Sequence, residues 1–297
     1  MLERRLLDHG LDLDALEARL WDGLGESVRV GVSGGADSMG LALLLASSGR
    51  RVLGVHVDHG LRPGAAAEGA QIARALWPFG IALVERRVQV AQGPNLEARA
   101  RDARRLALAG AATAHTMDDQ AETLLLNLLR GAGLVGLAAM EPGPHHPALE
   151  LRRHELRAVA LAAGVVVLED PMNRDPRFRR VRVRAELLPL ANEIAERDIV
   201  PLLARTAEHA REAAAVLAEL PPLAPGSLWL AAWVQRVSGL RLSTRHRRAL
   251  VAVARGEQPA HVLPGGILVR RVGGNLVLSS KGQEVARLGP ESLRRQP

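Results

Sequence analysis

The chain has no cysteine and no tyrosine, and its 297 residues include two phenylalanines and a single lysine, Lys281. Without cysteine there can be no disulfide, thiolate zinc site, iron–sulfur cluster or persulfide chemistry. The shortage of aromatic rings leaves few platforms for nucleobase stacking, which would fall to arginine planes or to a tryptophan such as Trp229 or Trp233. No uninterrupted apolar run approaches the roughly 20 residues of a membrane helix. The opening Met1-Leu2-Glu3-Arg4-Arg5 meets Asp8, Asp12 and Asp14 before any stretch of signal-peptide type. A cytoplasmic protein is therefore expected.

What the chain does have is arginine. Lys+Arg number 39 against 32 Asp+Glu, a formal charge of +7, and guanidinium forks match phosphate oxygens bidentately. That composition suits nucleic acid, although a coding bias toward Arg over Lys would produce it as well. The length suits one large domain and a smaller one.

The hydrophobic pattern alternates between strand and helix. Leu13, Leu16, Leu20 and Leu24 predict a helix over 12–24, and Val28 to Val32 a strand. Met39 to Ala46 reads as a helix, Arg51 to Val57 as a strand, 65–77 as a helix and Ile81 to Val90 as a strand. Helices follow at 95–109, 119–129 and about 153–163, with little room for a strand at Ala111 to Ala114 and a short β run at Val165 to Leu168. Such alternation predicts an α/β fold, a doubly wound and mainly parallel sheet. A long helix over 199–220, stopped by Pro221-Pro222, reads as a connector. Pro264-Gly265-Gly266 and Gly273-Gly274-Asn275 punctuate a small α+β module containing a hairpin. The expected divisions are 1–195, 196–222 and 223–297.

The sharpest local signal is Ser33-Gly34-Gly35-Ala36-Asp37-Ser38, between a strand and a helix. Paired glycines expose backbone N–H groups and the helix start adds partial positive charge, which together form an anion cradle. Ser33 and Ser38 can donate to phosphate oxygens, and Asp37 can hold a magnesium ion bridging them. Gly131-Ala132-Gly133-Leu134-Val135-Gly136 fits a dinucleotide fingerprint, but it follows a helix instead of a strand and so lacks that motif's geometry. A second acidic group opens the 119–129 helix: Asp118, Asp119 and Glu122 are more acids than a cap requires. Asp119 and Glu122, three apart, share a face suited to an ammonium group such as that of lysine.

The phosphate-type loop resembles the SGGxDS loop of the ATP-pyrophosphatase, or PP-loop, superfamily. Further blocks resemble the tRNA(Ile)-lysidine synthetases: Val57-Asp58-His59-Gly60-Leu61-Arg62, Asn95-Leu96-Glu97-Ala98 with Arg101 and Arg104, Ala114-His115 through Asp118-Asp119-Gln120-Ala121-Glu122-Thr123, Arg130 to Leu137, and Asp170, Asn173, Asp175, Arg180, Arg184 and Pro189. The likeness runs from about residue 28 to 190 and continues more weakly through Leu263-Pro264-Gly265-Gly266. It departs from the family pattern at Arg105, Thr116, Met172 and Val181, and the interval before His115 is about ten residues short of it.

The resemblance implies that ATP adenylates the C2 oxygen of the wobble cytidine of an isoleucine tRNA, releasing pyrophosphate, and that free L-lysine then displaces AMP to give lysidine. It implies ATP binding by Ser33, Gly34, Gly35, Ala36, Asp37, Ser38 and Asp58, with Asp37 as the magnesium ligand. Asp37, His115 and Arg184 are the expected catalytic residues, His115 as base or orienting group. Asp119 and Glu122 are the expected lysine site, and Arg101, Arg104, Arg180, Arg184, Arg245 and Arg248 the expected tRNA or cytidine contacts. A homodimer is one assembly it allows. Two alternatives are another tRNA-modifying enzyme of the same fold, such as a thiolase, which typically carries sulfur on cysteines, and a noncatalytic RNA-binding protein on this scaffold.

Overall fold

The computed structural model describes residues 2–10, 12–58, 65–88, 103, 106–168, 175–219 and 227–289. The chain divides into two compact units, Met1–Leu126 with Met140–Ala204, and Asn127–Ala139 with Arg205–Pro297.

In the first unit, short helices α1 (Leu2–Asp8) and α2 (Leu13–Glu17) precede β1 (Ser27–Gly31), α3 (Ala36–Ser47), β2 (Arg51–Asp58), α4 (Ala65–Leu76) and β3 (Ala82–Arg87). The three strands are parallel in the order β1-β2-β3. The expected 12–24 helix stops at Glu17 because the Trp21 N–H donates to the Pro147 carbonyl at 2.9 Å, outside any helical ladder. Its apolar face survives the break, with Leu16 and Leu20 buried. Ala111 to Ala114 form no strand. Ala112 makes one parallel bridge to Val30, with Gly31 N–H to Ala112 O at 2.8 Å and Ala112 N–H to Arg29 O at 2.7 Å. The expected strand at Val165 to Leu168 is also absent: the segment has no regular secondary structure, and Leu168 donates to Gly34 O at 2.9 Å. Most of the expected 95–109 helix lies outside the described residues.

Helix α3 is buried from Ser38 to Leu45, so its apolar positions need no polar face. It packs on β1, β2 and α7 (Arg153–Ala163), the last reached after α5 (Met117–Leu129) and the one-turn α6 (Leu134–Leu137). A Cβ at Gly40 would lie 2.0 Å from the Leu156 carbonyl oxygen, so only glycine permits this approach of α3 and α7. Helix α8 (Arg179–Arg182) continues through a π-helical turn (Val183–Leu187) into α9 (Leu188–Ala195). Pro189 has no N–H for the Ala185 carbonyl, and the ladder absorbs the fault as the wider turn, Leu188 N–H reaching Val183 O. Ala121 of α5 packs with Val183, Leu188 and Val200.

Helix α10 (Val200–Glu219) leads into the second unit, where α11 (Ser227–Ser238) and α12 (Thr244–Arg255) cover an antiparallel sheet of β4 (Ala260–Leu263), β5 (Ile267–Val272), β6 (Asn275–Ser280) and β7 (Gln283–Leu288). Val272 pairs with Asn275 across the two-residue Gly273-Gly274 turn, the expected hairpin. Leu230, Trp233, Val234, Leu250, Val253, Val269, Leu276 and Leu278 form its core. Trp233, 4% exposed, is thereby removed as a stacking platform. No described helix is long and apolar enough to cross a membrane.

Candidate active site

The sheet dictates where chemistry can gather. β1 has β2 on one side and the Ala112 bridge on the other, so the direction of chain progression reverses at β1. Ligands of open α/β sheets bind in the crevice beyond the carboxyl ends of the strands at such a point. Three segments leave the sheet there: Ser33–Ser38 after β1, Asp58 at the end of β2, and His115 to Glu122 after the bridge. A cavity of about 470 Å³ opens at the opposite end of the strands, beside Ser27, Arg29 and Arg51.

Gly34 has φ +83°, and a Cβ there would meet Leu168 Cδ1 at 2.6 Å. The loop is therefore built for glycine on both counts. Ser38 Oγ accepts from Ser33 N–H at 3.1 Å, donates to Gly35 O at 2.9 Å and lies 3.2 Å from Ser33 Oγ, drawing both hydroxyls to the start of α3. The first-turn N–H groups of α3 have no intrahelical acceptor and carry the positive end of its dipole.

Asp37 stands in the first turn of α3, where Arg157 Nε donates to its Oδ1 at 3.0 Å and Arg153 Nε lies 3.5 Å from Oδ2. Burial nevertheless lifts its pKa above the ordinary carboxylate value, against the pull of Arg157 and Arg153. Arg153 also reaches the acidic helix: its Nη2 donates to Asp119 Oδ1 at 3.1 Å and Glu122 Oε1 at 2.9 Å. Its own acidity falls further despite burial, because Asp119 and Glu122 hold the charged form.

Glu122 is fully buried. Besides Arg153 it accepts from Arg180 Nε at 2.7 Å, Arg184 Nε at 2.8 Å and Arg184 Nη2 at 3.2 Å. Asp119 takes Thr116 N–H at 3.0 Å and Thr116 Oγ1–H at 2.9 Å on Oδ2. Burial would raise its pKa, but Arg153, Arg180 and His115 outweigh burial and hold it below the usual range. Asp118 behaves alike, paired with Arg152 and accepting the Arg153 N–H at 2.8 Å. The π turn and its flanking helix aim Arg180 and Arg184 at α5. His115 Nδ1 lies 2.7 Å from Thr113 Oγ1, and its ring meets that of His146 edge-on at 5.1 Å.

Asp37, Asp119, Glu122, Arg180 and Arg184 are thus drawn into one ion lattice with Arg153 at its centre. Asp58, 2% exposed, pairs with Arg87 at 3.0 Å. Arg245 and Arg248 are exposed on α12, in the second unit. Arg101 and Arg104 lie outside the described residues. The sequence reading missed Arg152, Arg153 and Arg157. Their signal was available, since cations in a first helical turn oppose the macrodipole, and Arg153 and Arg157, four apart, share a face.

The pH dependence follows by sign. Asp118 and Asp119 have folded pKa values below the unfolded value of about 3.9. Their contribution is complete above that value and is lost as pH falls through the folded pKa values. Asp37, with a raised pKa, works oppositely and favours the fold as it protonates. The thermal midpoint is expected to hold from neutrality to about pH 5 and to drop below about pH 4. Scanning calorimetry of Asp119→Asn should show a shallower acid drop than that of the unaltered chain.

A profile of the PP-loop domain family matches residues 16–191. The chain belongs to that family of ATP-binding domains, and its loop, sheet and switch point are the matched region. A tRNA(Ile)-lysidine synthase of Salinispora tropica is 39% identical over 308 residues, covering 87% of this chain and 92% of that one. One of Leifsonia xyli is 43% identical over 205 residues, covering 63% and 62%, and one of Thermus thermophilus 38% identical over 285, covering 83% and 55%. The chain belongs to the tRNA(Ile)-lysidine synthase family. The matches span about three fifths of the length of the Leifsonia, Nocardia and Rhodococcus relatives. Among solved structures, the U34-tRNA thiolase NcsA of Methanococcus maripaludis aligns at TM-score 0.49 and 16% identity, covering 71% of this chain and 78% of that one.

Proposed function

We propose that the chain is a cytoplasmic ATP-dependent ligase that joins lysine to C2 of the wobble cytidine of an isoleucine tRNA. The observation that carries this reading is the Ser33–Ser38 cradle at the switch point, with the acid pair of α5 tied to it through Arg153.

In the first step the cytidine O2 attacks the α-phosphorus of ATP, the bond to the β-phosphate oxygen breaks, and pyrophosphate leaves. The loop amides, Ser33 and Ser38 hold the departing phosphates, and Asp58 closes the neighbouring strand end. Arg180 and Arg184, 41% and 34% exposed at their side chains, are the guanidiniums that can turn toward phosphate or the activated base, while Arg153 stays buried. Preorganised donors of this kind are the main source of stabilisation when charge moves onto a leaving group.

In the second step the ε-amine of lysine attacks C2, the C2–O bond breaks and AMP leaves with the oxygen. The ε-ammonium gives up one proton to become the attacking amine and a second as the C2–N bond forms, and we assign the base to His115, which is oriented through Thr113 and passes the first proton to water. The lysine ammonium docks at Asp119 and Glu122 by taking the place of a guanidinium that has turned away. Magnesium fits the donor set: this ion is usually held by one or two carboxylates together with substrate phosphates, and Asp37 is the carboxylate within the cradle. Bound there, it would neutralise phosphate charge. A second copy of the chain is the assembly partner this reading allows.

Mass analysis of tRNA nucleosides after incubation with ATP and lysine tests the proposal. The expected product is cytidine enlarged by one lysine less one water, formed only when all three substrates are present. Unchanged cytidine would favour the noncatalytic alternative.

A further inference from the structure

The Arg130–Leu137 block has no part in the chemistry above. In the second unit its residues 132–136 wall a cavity of about 180 Å³ together with α10, α11 and α12. We propose that this cavity is a pocket for one nucleotide of an RNA strand, with the base between Leu134, Val135, Ala214 and Ala231 and the phosphate on Arg241 and Arg247. The choice of RNA rests on the function proposed above; the pocket itself rests on its own residues.

Charge is the first argument. The arginines around α5 and α7 are matched by carboxylates, but neither Arg241 nor Arg247 has a carboxylate partner among the described residues, and both line the cavity. Arg247 Nη2 donates to Thr244 Oγ1 at 3.0 Å, its Nη1 lies against Gly133, and its Nε is buried without a hydrogen-bond partner. A half-buried guanidinium left unmatched is costly and is relieved by an anion.

Shape is the second. The volume falls below the ~300–1,000 Å³ of drug-sized sites, which suits a single ring system and excludes a dinucleotide. The walls are aliphatic, and Gln235 and Asn127 supply amides for a base edge. Asn127 Nδ2 is already committed to Gly136 O at 2.8 Å. Exposed Arg245 and Arg248 share α12 with Arg247 and extend the charge for neighbouring phosphates.

The test is filter binding of the isoleucine tRNA to the full chain across a salt series. Arg247→Gln is expected to weaken binding about tenfold and to lower the salt slope by about one. Ala231→Leu, which fills the base position, should weaken binding with the slope unchanged, and Ala214→Leu repeats the test from another wall should Ala231→Leu fail to fold. In both kinds of variant, half-maximal pyrophosphate release should need correspondingly more tRNA, since the pocket carries substrate affinity. Unchanged affinity in Arg247→Gln and in the filled variants overturns the pocket. Absence of lysidine formation by the unaltered chain would defeat the functional reading and leave this binding comparison to decide the pocket alone.

Discussion

Glutamine at position 122 is expected to lower the free energy of unfolding by about 3–5 kcal/mol, the range for removing one partner of a buried ion pair. Glu122 has no exposed surface and faces three guanidiniums, those of Arg153, Arg180 and Arg184. Glutamine keeps the length but brings no charge, and its amide presents N–H groups to donors. Asp119 alone would then face all three, at 3.1, 3.4 and 3.9 Å. Denaturant unfolding measures this directly; a loss below about 1 kcal/mol would mean the lattice is as weak as a surface pair. Assayed well below its unfolding transition, the same variant should need more lysine for half-maximal rate. An unaltered lysine requirement would leave Glu122 a structural role only.

Asparagine at position 37 is expected to do the reverse, losing activity without losing stability. Burial raises the Asp37 pKa even with Arg157 and Arg153 beside it, so the folded chain disfavours the ionised form relative to the unfolded one. Removing that charge therefore costs the fold nothing, and the unfolding free energy should stay within about 0.5 kcal/mol or rise slightly. Pyrophosphate release should fall by roughly 10²–10³, the usual effect of deleting one preorganised group from a charge-stabilising site. A stable fold with undiminished release would remove Asp37 from the mechanism. Burial that disfavours an ionised carboxylate at the helix start beside the Ser33–Ser38 loop is the kind of perturbation found at charge-handling sites.

Much of this arrangement is legible in the sequence because local rules and tertiary structure agree there. The Val28–Val32 run, the glycine turn and the Met39–Ala46 stretch each announce themselves by period or by turn chemistry, and they fold as β1, the loop and α3. The acids of α5 are likewise readable as a surplus over capping needs. What is not legible depends on contacts between distant segments. The partners of Glu122 come from residues 31 to 62 positions away, and no spacing rule joins them. The π turn that orients Arg184 follows from Pro189, but a proline in a helical pattern announces a fault without saying how it is absorbed. Val165 to Leu168 has strand composition yet forms no ladder, its ends held by the bonds of Val165 N–H to Ala160 O and of Leu168 N–H to Gly34 O, because its neighbours and not its propensity decide its place. Ala112 joins the sheet through a single bridge, and strand propensity could not foretell so brief a contact.

The central claim is that the Ser33–Ser38 loop grips the outer phosphates of ATP so that the bond between the α and β phosphates is the one that breaks. Incubating the chain with ATP labelled at the α-phosphate, in the presence and absence of the isoleucine tRNA, asks this directly. The account predicts labelled AMP and stoichiometric pyrophosphate, formed when tRNA and lysine are present and lost in Asp37→Asn. Labelled ADP with inorganic phosphate, or AMP formation indifferent to tRNA, would contradict it.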